Sequence, residues 1–130
     1  MSQPQPSTIP YPTQLERIKG NMGRLAQGQP DTMKAFSALH RAASDPGVLD
    51  TKAKELIALA IAVSLRCDGC IAFHTHDALE AGATRQGILE VLSVAVSMGG
   101  GRSVMCATRV VEAVEQSENA APQRNERDAA

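Results

Sequence analysis

The run Leu56–Val63, followed by Ser64 and Leu65, constrains this chain more than any other stretch. It is almost wholly apolar and is built from Ala, Ile, Leu and Val. It is far short of the roughly 20 residues that cross a bilayer. Glu55 stands directly before it, and Asp50 or Thr51 supplies an N-cap, so it reads as a helix from Lys52 to about Leu65 buried at the centre of a domain. The rest of the chain must pack around it with few aromatic side chains, because it holds no Trp, one Tyr and two Phe. A core of Ala, Val, Ile, Leu and Met suits close helix–helix packing better than sheet pairing. No alternation of period two appears, so the expected class is all-α.

Turn and cap signals divide the 130 residues into about six helices in one domain. Leu15, Ile18, Met22 and Leu25 predict a helix over Thr13–Ala26, weakened by Gly20 and Gly23. Pro30–Asp31 opens a second, with Met33, Phe36 and His40 on one face and Leu39 beside them. Asp45–Pro46–Gly47 is a turn. A fourth helix starts near Cys67 and ends at Ala81, with Gly82 after it and Thr84 capping a fifth. Gly99–Gly100–Gly101 breaks the fifth, and a sixth runs from Ser103 to about Gln116. Residues 1–12, with four prolines, read as a flexible arm, 13–117 as the domain, and 118–130 as a disordered polar tail. Several helices lack a fully polar face, which predicts oligomerisation.

A formal net charge of −1 without a Lys/Arg cluster argues against nucleic acid and against an anionic membrane surface. The N-terminus lacks the basic-then-apolar order of a secretory signal, so a cytoplasmic location is expected. In a reducing compartment a Cys-x-x-Cys pair points to redox chemistry or metal rather than to a structural framework.

That pair is Cys67–Asp68–Gly69–Cys70, and His74 follows Cys70 by one helical turn. Residues three apart on a helix have Cβ atoms roughly 5–6 Å apart, so slight distortion, helped by Gly69, brings the sulfurs to bonding distance. His74 lies on the Cys70 face and can take its proton or hold its thiolate. Asp68 reads as an N-cap that places Cys70 in the first turn, where the helix dipole favours a thiolate. The chemistry that follows is attack of one sulfur on a hydroperoxide, sulfenic acid formation, condensation with the other to a disulfide, and reset by an external dithiol; the spacing to His74 favours Cys70 over Cys67 as the attacking sulfur, with the opposite assignment left open. Glu55, twelve residues before Cys67, reaches this site only if the chain turns back between Leu65 and Asp68. From the residues alone it reads as an exposed first-turn acid.

The segment Glu55–Thr84 with SMGGGRSVMCATRVVEAVEQ resembles the AhpD-like (alkylhydroperoxidase D core) group of the carboxymuconolactone decarboxylase superfamily, over about residues 33–116. The shared pattern is Glu-x11-Cys-x-x-Cys-x3-His, met by Glu55, Cys67, Cys70 and His74. The resemblance implies an AhpD-like helical bundle, homotrimers or homohexamers, and peroxiredoxin-type reduction of a small hydroperoxide without cofactor or metal. It makes Glu55 a member of a Glu–His proton relay and agrees with Cys70 as the attacking sulfur. The alkylhydroperoxidase D proteins proper carry a second histidine inside the Cys-x-x-Cys, where this chain has Gly69. Two other readings compete: a lyase or isomerase acting on a small carbon acid through Glu55 and His74, and a non-enzymatic redox-sensing module. A zinc site completed by His76 or Cys106 lacks a recognised ligand spacing. His76 reads as solvated, His40 as packing or capping locally, and Cys106, Met98 and Met105 as core residues.

Overall fold

The computed structural model describes residues 9–128. Among these there are six helices and no strand: α1 (Tyr11–Gly28), α2 (Pro30–Ser44), α3 (Thr51–Leu65), α4 (Asp68–Glu80), α5 (Arg85–Gly99) and α6 (Gly101–Asp128). Helix α3 begins where the Asp50 carboxylate accepts from the Ala53 N–H at 2.7 Å, and α5 where the Thr84 hydroxyl accepts from the Gly87 N–H at 3.0 Å. Between α5 and α6 the chain turns at Gly100, whose φ of 68° favours a residue without a Cβ.

Helix α3 packs against α4, α5 and α6, and their shared core is aliphatic. Leu59, Val63, Ile71, Ile88 and Val110 are almost completely withdrawn from water. Cys106 is a buried free thiol in this core. Burial of α3 is one-sided, however: Ile57, Ile61 and Leu65 form an i, i+4, i+8 stripe that faces solvent. Met98 and Met105, expected in the core, are 83% and 62% exposed. They flank the α5–α6 turn and point outward from the two helices.

Helix α2 has no buried residue, and among the described residues its backbone runs close to α1 and α3. Its apolar face, including Phe36 and Leu39, is open. The last helix passes its expected end near Gln116 and stays helical through the polar stretch 118–128 read as a disordered tail. Apolar spacing marks the buried face of a helix rather than its end. Here Arg85 of α5 grips the polar continuation, with Nη2 2.9 Å from Glu118 and Nη1 3.8 Å from Glu115. At the other end α1 starts at Tyr11, inside the expected 1–12 arm. Residues 1–8 of that arm and 129–130 of the tail lie outside the described residues. No described helix is long and apolar enough to cross a membrane.

Candidate functional site

Everything at the site depends on a sharp reversal between α3 and α4. Arg66 adopts the left-handed conformation (φ 56°, ψ 41°), and the Arg66 and Cys67 N–H groups donate back to the Val63 and Ala62 carbonyls at 3.2 and 3.1 Å. This is a Schellman-type close on a residue other than glycine. The Arg66 side chain points to solvent. The two helices then run back along one another, and Glu55 comes to lie beside His74, nineteen residues on. Glu55 is buried rather than exposed, with its side chain 6% accessible, and its Oε2 is 2.8 Å from His74 Nδ1. Spacing along one straight helix could not show this contact, because the contact is made by the turn.

Cys67 and Cys70 are joined as a disulfide, with Cα atoms 5.2 Å apart. Cys67, not Asp68, is the N-cap of α4: its Sγ accepts from the Cys70 N–H at 3.3 Å. Asp68 is the first helical residue, and its Oδ1 faces outward to the Tyr11 hydroxyl at 3.0 Å and Arg109 Nη1 at 3.6 Å. Tyr11 is thus tied to the motif from α1, and its backbone N–H also donates to Gln116 Oε1 at 2.6 Å. Burial, then the Asp68 charge and hydrogen bond, push the Tyr11 phenol well above the ordinary tyrosine value. Gly69 keeps a helical backbone. Its small size matters instead for packing, since an added Cβ would stand 3.3 Å from the Ile18 Cδ1 of α1.

Three residues at the site were not singled out by the sequence pattern. Asp77 is three positions after His74, hence on its face, and a carboxylate oxygen of Asp77 lies with donor atoms of Glu55 and His74 inside a 4.8 Å group. Asp77 Oδ1 also meets the neighbouring His76 Nδ1 at 3.1 Å, so His76 is partnered rather than freely solvated. His74 Nδ1 and Glu55 Oε2 lie at hydrogen-bond distance, so the trio can hand on a proton, and its donor atoms are also close enough together to hold a cation. His40 approaches from α2, its ring centroid 6.5 Å from that of His74. Tyr11 is the third. Neither His40 nor Tyr11 carries a local signal, since both meet the motif only through helix packing. A cavity of about 470 Å³ between α1, α4 and α6 is lined by Tyr11, Leu15, Ala72, His76 and Ala113 among others, and none of Glu55, Cys67, Cys70 and His74 opens into it.

A family model described as the carboxymuconolactone decarboxylase family matches residues 30–113. An uncharacterised protein of Cupriavidus necator is 42% identical over 104 residues, which is 80% of this chain and 92% of that one. A crystal structure of an apo carboxymuconolactone decarboxylase family protein from Legionella pneumophila superposes with a TM-score of 0.79 at 42% identity, covering 82% of this chain and 95% of the other. A Thermotoga maritima protein of the same family, described with reservation as involved in an antioxidative response, gives a TM-score of 0.77 at 28% identity over 85% of this chain and 94% of its own.

Proposed function

The chain belongs to the carboxymuconolactone decarboxylase family, and on that footing we propose that it is a thiol-dependent hydroperoxide reductase of the AhpD-like group. The observation that carries this reading is the coupling of a Cys67–Cys70 disulfide to a buried carboxylate–imidazole pair one helical turn away. A carbon-acid lyase needs the Glu55–His74 pair but has no use for the two sulfurs. A redox sensor needs the sulfurs but no buried proton acceptor beside them. The AhpD-like reading uses all four residues.

In the reduced protein the Cys70 thiolate attacks one peroxide oxygen, and the O–O bond breaks. The Cys70 sulfur becomes a sulfenic acid, and the alkoxide takes a proton from the His74 imidazolium, whose other nitrogen is held by Glu55. Cys67 then attacks the Cys70 sulfur and displaces hydroxide, which leaves as water on taking a proton. The cap hydrogen bond from the Cys70 N–H supports a thiolate on Cys67 for this step. An external dithiol returns two electrons by exchange and departs as its own disulfide.

The same reading places the protein in the cytoplasm as a homotrimer or homohexamer. The bare apolar face of α2 and the Ile57–Ile61–Leu65 stripe support assembly, since contiguous apolar surface of this kind is covered in most proteins.

The test is to reduce the protein, add one equivalent of cumene hydroperoxide, alkylate, and map the cysteines by peptide mass, with Cys70→Ser alongside. Formation of the Cys67–Cys70 disulfide within the mixing time, lost in the variant and with Cys106 still alkylated, is the expected result. Free thiols at both positions refute the reading. Turnover of a small carbon acid that survives loss of both cysteines would establish the lyase instead.

A further inference from the structure

Helix α2 contributes one titratable ring to the neighbourhood of the site. His40 is exposed, and it belongs to a helix with no buried residue, so it is not there to fill the core. Its ring nevertheless faces His74, with centroids 6.5 Å apart and planes inclined by 41°. His74 Nδ1 is engaged by Glu55, which leaves Nε2 as the nitrogen that exchanges protons. Rings whose centroids are 6.5 Å apart are too far for stacking contact and close enough for one water to bridge a nitrogen of each. Exposure rises along the series: the Glu55 side chain is 6% accessible and that of His74 21%, whereas His40 is open to solvent. Among the described residues no ion pair holds the His40 ring, which leaves it able to turn between His74 and water.

We propose that His40 is the proton relay between bulk solvent and His74 Nε2, an inference that rests on the peroxide-reducing function proposed above. His40 acts through His74 and touches no reacting atom. The balance of the reaction calls for a supply of protons to His74. A dithiol reductant attacks as a thiolate and leaves its protons in solvent, so each turnover must bring two protons into the site. One goes to the alkoxide released when the O–O bond breaks, the other to the hydroxide released when the Cys67–Cys70 bond forms. The two electrons come from the dithiol and end on the peroxide oxygens. His74 can deliver both protons only if it is itself reprotonated each time, and α2 sets beside it a second imidazole that is more open to solvent than its own.

The experiment compares wild-type protein with His40→Ala and His40→Gln under steady turnover of cumene hydroperoxide, with dithiothreitol raised until the rate no longer depends on it. Buffer is kept low, and the assay is repeated with added imidazole. Both variants are expected to turn over roughly tenfold more slowly than wild type at low buffer, less than the roughly hundredfold or more of a group that transfers a proton to the reacting atoms, because His40 acts through His74. Imidazole restores His40→Ala and leaves wild type unchanged, because a small base can occupy the exposed site of the missing ring. A structural role for His40 would not be rescued by a diffusible base. Wild-type rates in either variant at low buffer, or a loss in His40→Ala that imidazole does not repair, would overturn the relay while leaving the peroxide reaction standing. A wild-type protein inert to peroxide removes the reaction, and the relay with it.

Discussion

Replacing Glu55 by Gln separates the charge of the buried acceptor from its shape. The side chain stays the same size, and its amide oxygen can still accept from His74 Nδ1 across the 2.8 Å now bridged by the carboxylate. What is lost is the charge facing the imidazolium. A hydrogen bond to a charged group contributes about 1.5–3 kcal/mol net against about 1 for a neutral pair, so the substitution removes about 0.5–2 kcal/mol of support from protonated His74. With about 1.36 kcal/mol per factor of ten, that corresponds to a turnover about 2- to 30-fold slower. Screening will not erode the effect, because the carboxylate is 6% accessible. Stability should move far less, since removing a buried charge relieves its desolvation as it weakens the pair. The assay is steady-state peroxide consumption with dithiothreitol, run beside a thermal melt of the same preparation. An E55Q protein that melts with the wild type and turns over at the wild-type rate would refute the Glu55–His74 relay. Loss of rate matched by a large fall in Tm would reassign Glu55 to holding the α3–α4 hairpin.

Other expectations are simpler to check. Tyr11 is the chain's one tyrosine, with no Trp beside it, so its phenolate absorbance reports a single site. The neutral phenol is favoured in the fold, so its stabilising contribution is complete below the unfolded value of about 10 and is lost as pH climbs past it toward the raised native value. Wild type should therefore lose stability more steeply than Tyr11→Phe above that pH, and Asp68→Asn should let the phenol ionise earlier; equal slopes would contradict the burial described. The Thr75 hydroxyl is buried and has no hydrogen-bond partner among the described residues, so Thr75→Val should raise stability by about 1 kcal/mol in a denaturant titration. A destabilised variant would mean that the hydroxyl is paired in solution. Leu59→Ala empties a fully buried position of α3 and should cost about 2–5 kcal/mol by the same titration, whereas Leu65→Ala on the solvent side of that helix should cost under about 1 in the monomer.

The sequence made legible whatever is decided within one helical turn. Asp50 and Thr84 are short polar residues ahead of apolar runs, and both cap as expected. Three adjacent glycines break α5 from α6. The Cys–Cys–His spacing lies on one helix, so its geometry follows from helical periodicity alone. What depends on packing was not legible. Apolar periodicity tells that a face of α2 or α3 avoids water but not which neighbour covers it, hence the exposed Phe36, Ile61 and Met98. Asp68 is a better capping residue than cysteine by propensity, yet the αL turn at Arg66 puts Cys67 in the cap and turns the carboxylate toward Tyr11 and Arg109. Glu55 entered the site through the family pattern, and the hairpin supplies its physical reason. His40, thirty-four residues before His74, reads in the sequence first as a residue packing or capping locally, because its approach to His74 is made by helix packing.

The bond between Cys67 and Cys70 spans three positions. A cross-link that small takes little freedom from the unfolded chain, about 2 kcal/mol on the loop-entropy scale against nearly 5 for a loop of a hundred residues. The four-helix core of Leu59, Ile71, Ile88 and Val110 does not rely on it. On the peroxide-reducing reading proposed above, opening and closing the bond is therefore a local event at the head of α4, and each oxidation cycle would leave the architecture of the molecule out of play.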